Sequence, residues 1–183
     1  AYLNELKQRT GDLGVRNVLI MVDNEGDLGA SDATKRLKAV ENHYKWIEAA
    51  KFLGCHSIRV NMTGDDTPEE LMKAGVDGYG KLVEFGEKAG MGVIIENHIN
   101  VSTNPDWLVS LLKQIKNPYA GVLPDFGNFT ERETPKTMTM EGFRDAKVLN
   151  EFDKYEGVKK LMPYAKGVSA KTHLFDANGN CTD

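Results

Sequence analysis

The sequence is poor in the features that staple or anchor unusual proteins. Only two cysteines occur among its 183 residues, Cys55 and Cys181, and they form no Cys-x-x-Cys pair. A disulfide framework and a cysteine zinc site are therefore not expected. No apolar run approaches the roughly 20 residues of a membrane-spanning helix, and no signal peptide precedes the first helical pattern. Positive charge is also short, with 23 Lys and Arg against 27 Asp and Glu, a net charge of −4. A nucleic-acid-binding surface normally shows as a basic excess, so no nucleic-acid partner and no membrane partner are expected. The absent signal means little for location; the cytoplasm is the first expectation and the periplasm the alternative.

What remains is an ordinary globular composition, 40% hydrophobic and 27% charged. A chain of this length buries a real core and is most simply one domain, residues 1–183. Four Asn-x-Ser/Thr triplets, at Asn61, Asn100, Asn128 and Asn180, read as chance.

Helical and strand patterns alternate. Leu3, Leu6 and Leu13 fit one helical face, closed by Gly14. Val18 to Val22 is a continuous apolar run, the mark of a parallel strand buried on both faces. Ser31 and Asp32 can cap a helix whose apolar positions recur every three or four residues from Ala33 to Ala50, ended by Gly54. Ser57 to Val60 is the next strand. Thr67-Pro68-Glu69-Glu70 is a capping box that starts a helix running to about Gly90. Val93 to Ile95 is a strand, Asn104-Pro105 opens a helix, and Gly121 to Leu123 is a strand. A long polar stretch, Phe126 to Asn150, precedes a helix from about Asp153 to Ala165 and a last strand from Val168 to His173. Repeated βα units mean a parallel sheet, either an open doubly wound sheet or a closed barrel, and periodicity does not choose between them.

Three strand-like runs end on a residue able to bind a metal: Glu96, Asp125 and His173. In a barrel, strand carboxyl ends open onto one rim, where active sites sit. Two carboxylates and an imidazole form a mixed oxygen and nitrogen set that suits a catalytic divalent cation. Arg59 and Asn61 share one face at the end of their strand and can meet substrate oxygens. His98 lies two residues past Glu96, and Lys171 two residues before His173, so alternation puts each on its neighbour's face. His43 and His56 read as surface or packing residues, and Trp46 and Trp107 as helix packing.

The motifs IIENH at 94–98, GVLPDFGNF at 121–129 and VSAKTHLFDANGN at 168–180 resemble the sugar phosphate isomerase/epimerase family, whose fold is a xylose isomerase-like TIM barrel. The family also holds AP-endonuclease-type relatives. The resemblance implies an α/β (β/α)8 barrel. A barrel usually needs about 250 residues, so the chain is expected to supply about strands three to seven, truncated at both ends. It implies Glu96, Asp125 and His173 as ligands of a divalent metal ion (Mn2+, Mg2+, Co2+ or Zn2+). Glu96 also serves as the acid/base, and a fourth ligand and second acid/base would lie beyond Asp183. Asn128 stands where epimerases of the family carry a histidine, and no arginine follows His173. Asn128, with Arg59, Asn61, His98 and Lys171, is assigned to substrate binding.

The activity implied is metal-dependent isomerisation or epimerisation of a small carbohydrate through an enediolate, with the metal as Lewis acid. A lyase, dehydratase or hydrolase on the same metal site is the alternative, because one fold hosts many chemistries. A zinc phosphodiesterase fits the acidic composition poorly, and a binding protein without catalysis is the remaining class. A homo-oligomer is open. The Phe126–Asn150 stretch, far longer than a usual βα connection, is expected to cover the metal site as a lid.

Overall fold

The computed structural model describes residues 1–183 except Asp65, Asp66, Thr134, Pro135, Met138, His173 and Asp183, and except the side chains of Met140, Phe143 and Arg144. Its elements are α1 (Tyr2–Asp12), β1 (Leu19–Met21), α2 (Ala33–Leu53), β2 (Ser57–Val60), α3 (Pro68–Ala89), β3 (Gly92–Glu96), α4 (Pro105–Ile115), β4 (Ala120–Leu123), β5 (Thr130–Arg132), α5 (Met140–Asp145), β6 (Val148–Glu151) and α6 (Lys154–Leu161). Short 3-10 turns lie at Asn100–Thr103 and Met162–Tyr164.

Strands β1 to β4 form one parallel sheet in sequence order, with helical crossovers between them. Alternation gives the sheet two chemically different faces. Ile58, Val60, Val93, Ile95 and Val122 join the core built with α2, α3 and α4. The alternating positions Ser57, Arg59, Ile94, Glu96, Gly121 and Leu123 therefore share the opposite face, with Ile94 beside Arg59 and Gly121 in register. That second face carries the polar residues.

The helix boundaries follow local chemistry. Asp32 accepts the Lys35 N–H, and Gly54 ends α2 at a φ of 81°. Thr67 and Glu70 close a capping box with Pro68 in the first turn of α3. Asn104 accepts the Asp106 and Trp107 N–H groups at the start of α4. Helices α2 and α3 meet through the stacked rings of Tyr44 and Phe85, 3.8 Å apart. Tyr79, fully buried on α3, donates its hydroxyl to the Val93 carbonyl at 2.7 Å and accepts the Gly121 N–H at 3.2 Å, tying helix to sheet.

Four expectations are corrected. The Val18–Val22 run is not buried on both faces, because β1 is an edge strand and leaves Val18 and Met21 each 49% exposed. The Val168–His173 segment is not a regular strand among the described residues. The chain from Ala165 to Ser169 runs parallel beside β4 through two isolated bridges, Val122 to Ala165 and Asp125 to Ser169. Pro124 lies between them and has no N–H for the ladder, and the far segment spends one extra residue to pass it, as a bulge does. The expected helix to Ala165 stops as α6 at Leu161 and tightens to a 3-10 turn, because Pro163 cannot donate the next helical bond. Finally, the Phe126–Asn150 stretch, read as one long polar connection, contains secondary structure of its own. It holds β5 and α5, and β5 pairs antiparallel with β6.

Candidate functional site

The polar face of the sheet ends in a row of charges at the strand carboxyl ends. Glu96 closes β3 and is 2% exposed. Arg59 on β2, 4% exposed, puts its Nε 2.8 Å from Glu96 Oε2. The contact is ionic without being an aligned hydrogen bond, so Arg59 Nε and Glu96 Oε2 are both buried without a hydrogen-bond partner. Glu96 Oε1 accepts from Asn128 Nδ2 at 3.3 Å.

Asp125 lies two residues past β4 and is completely buried. Its Oδ2 accepts from Ser169 Oγ at 2.8 Å and meets Lys171 Nζ at 2.8 Å, and its Oδ1 accepts the Gly127 N–H at 2.9 Å. Lys171 Nζ also reaches Asn128 Oδ1 at 3.3 Å. The Asp125 main chain is clamped by Asn97, whose Oδ1 accepts the Asp125 N–H at 2.7 Å and whose Nδ2 donates to the Asp125 carbonyl at 3.0 Å. Asn97 Nδ2 also donates to the Asn128 carbonyl at 2.9 Å.

The carboxyls of Glu96 and Asp125 lie near enough for each to feel the other's charge. Burial first, and then the negative charge of Asp125, push the Glu96 carboxyl up to about 7, against the pull of Arg59 and Lys171. His98 is held below the usual histidine range, by burial first and then by Arg59 and Lys171. A neutral imidazole follows near neutral pH, and its Nδ1 is buried with no hydrogen-bond partner among the described residues. Asp23, two residues past β1, is held below the usual carboxylate range chiefly by its bond from Arg59.

The structure thus brings together Glu96, Asp125, Arg59, Asn128 and Lys171, and places His98 within their field. Asn61, one residue past β2, accepts from Arg59 Nη1 at 3.4 Å and donates to Asp23 Oδ1 at 3.0 Å. His173 lies outside the described residues. Sequence reasoning missed Asp23, Asn97 and Ser169. The amide of IENH was a visible signal for Asn97, but nothing local marks Asp23 or Ser169, whose partners lie 36 and 44 residues away. Four residues of the long connection, Phe126 to Phe129, start at this rim, and β5 beyond them packs on the 3-10 turn that follows Glu96.

Glu96 and Asp125 bring two buried carboxyls near each other, and hard carboxylate oxygens are the donor type that suits a divalent cation. Among the described residues no group of three His, Cys, Asp or Glu is assembled for a metal.

The family profile of the xylose isomerase-like TIM barrel matches residues 1–171, and the chain belongs to that family. Four parallel strands with their helices are part of that barrel. Solved structures agree on the fold. A D-tagatose 3-epimerase-like protein superposes with a TM-score of 0.70 at 17% identity, over 91% of this chain and 58% of its own. The Escherichia coli 3-keto-D-glucoside 4-epimerase YcjR gives 0.68 at 14% identity, over 91% and 62%. A xylose isomerase-like TIM barrel protein from Mycobacterium smegmatis, in complex with magnesium, gives 0.64 at 17% identity, over 97% and 58%. The chain therefore spans about three fifths of the length of these proteins. The sequence matches no curated protein. Among the described residues no helix is long and apolar enough to cross a membrane.

Proposed function

We propose that this chain, read as one domain, carries the metal-binding half of a site that isomerises or epimerises a small sugar through an enediolate. The observation that carries the reading is Glu96: a carboxyl 2% exposed at a strand carboxyl end, ion-paired with Arg59 and raised by the nearby charge of a second buried carboxyl, Asp125. Glu96 and Asp125 would hold a divalent cation, with His173 as the third ligand from outside the described residues. Such a cation supplies Lewis-acid polarisation of substrate oxygens.

The chain's own groups do the rest. Glu96, with its carboxyl raised to about 7, can take a proton from a carbon next to a carbonyl and return it near neutral pH. Arg59 holds Glu96 from below, and Asn128 holds its other oxygen. Lys171 and Ser169 fix Asp125. His98 is a neutral ring whose free Nδ1 can meet a substrate oxygen. Two of the named neighbours, a sugar epimerase and an epimerase-like protein, support a carbohydrate as substrate, and the third, which holds magnesium, supports a divalent cation.

The test is solvent deuterium incorporation, followed by proton NMR, into a panel of ketohexoses with Mn2+ present. Exchange at a carbon next to the carbonyl, lost in Glu96→Gln, is the expected result. Loss of water from substrate without exchange would place the site among lyases instead. Equal exchange by wild type and Glu96→Gln would overturn the role of Glu96.

A further inference from the structure

The residue at this rim that neither the motifs nor the proposed chemistry uses is Asp23. Its Oδ1 accepts Arg59 Nη1 at 2.6 Å and Asn61 Nδ2 at 3.0 Å. Its Oδ2 takes no bond from any described residue, and the side chain is 54% exposed. Asn61 Oδ1 in turn lies 3.4 Å from Arg59 Nη1, which also donates to the Val22 carbonyl at 3.2 Å. An exposed carboxylate is thus held at one oxygen by a buried guanidinium and an amide, themselves fixed, with its second oxygen open to solvent. A counter-ion for Arg59 alone needs none of this, because Glu96 already stands against the same guanidinium. Half-exposed ion pairs contribute little stability, whereas a preorganised acceptor is what a binding site requires.

We propose that Asp23 is a substrate-binding and specificity-determining residue that accepts a hydrogen bond from a sugar hydroxyl a few carbons from the reacting centre. The inference rests on the reading of this rim as a sugar site. Arg59 touches Asp23 and Glu96 with one rigid fork, so the two carboxylates are spaced for a single short polyol. Arg59 is then a positioning residue, too buried to meet the sugar itself.

The test is binding, read separately from turnover. Saturation-transfer and titration NMR with Mg2+ would measure the affinity of ketohexoses and of the matching singly deoxygenated ketoses for wild type, Asp23→Ala and Asp23→Asn. Loss of a hydrogen bond to a charged group corresponds to about 10- to 100-fold in affinity. The expected result is that one deoxy position weakens wild-type binding by that factor, that Asp23→Ala weakens only sugars bearing that hydroxyl, and that Asp23→Asn recovers part of the loss. An Asp23→Ala loss equal for every sugar, with a matching fall in thermal stability, would make Asp23 merely structural and overturn the proposal. So would binding of none of the sugars. Hydroxyl discrimination with no proton exchange in either wild type or Glu96→Gln would instead keep the Asp23 subsite and refute the isomerase reading.

Discussion

Replacing Arg59 with Met should destabilise the protein strongly at high pH and weakly at low pH. The side chains of Arg59 and Glu96 are 5% and 3% exposed, so solvent screens the pair little. Removing one partner of such a pair costs about 3–5 kcal/mol when the other stays charged. Glu96 has an escape, because its carboxyl is already raised to about 7 from 4.5. Folded Glu96 therefore binds its proton more tightly than unfolded Glu96. Its stabilising contribution is full below about pH 4.5 and is lost as the pH rises through about 7. Arg59 is the main influence that restrains this rise, so its loss carries the titration to higher pH. Each further unit adds about 1.4 kcal/mol to the difference between variant and wild type above pH 7. Urea unfolding in a metal chelator at pH 6 and pH 9 measures both ends, read from midpoints at constant slope. Glu96→Gln in the Arg59→Met background should remove the pH dependence. A cost equal at both pH values, or one that survives Glu96→Gln unchanged, would refute the claim that Glu96 is the group left unpaired.

Two further perturbations probe the frame. Tyr79→Phe keeps the ring but strips the hydroxyl from Val93 and Gly121, at a cost of about 1–3 kcal/mol, read by calorimetry as a Tm lower by roughly 3–10 °C. His43 is 3% exposed and burial holds it below the usual histidine range, so its contribution to stability is full above about pH 6.5 and is lost as the pH falls. Against wild type, His43→Gln should therefore melt lower at pH 7.5 and show a flatter fall in Tm from pH 7 to pH 5; parallel curves would refute it.

The helices and central strands were legible because their signals are local. Thr67-Pro68-Glu69-Glu70 closes its own capping box, Asp32 and Asn104 cap within three residues, and Gly54 and Gly90 adopt the left-handed turn that ends a helix. Val93 to Ile95 reads as strand because all three are apolar and all three are fully buried. The reading failed where neighbours decide. An apolar run at β1 looks the same at an edge as in the middle of a sheet, and among the described residues β1 is an edge, with Met21 half exposed. The segment after Phe126 looked like loop because its two short strands pair across residues 130–151 and are too brief to show a period.

The rim chemistry was legible for the same reason that it was incomplete. Strand ends mark Glu96 and Asp125, since alternation aims every second side chain at one face. Their charges cannot be understood from the strand ends alone. Two neighbouring carboxyls repel, and the row tolerates them because cations flank both sides: Arg59 against Glu96 and Lys171 against Asp125. Lys171 comes to Asp125 only through the bridge at Ser169, after the extra residue that passes Pro124, a register that no spacing rule foretells. Arg59 is shared with Asp23, so the order along the rim is Asp23, Arg59, Glu96, Asp125, Lys171. Positive and negative charges alternate except at one place, between Glu96 and Asp125. That junction is where an added positive charge relieves the most repulsion.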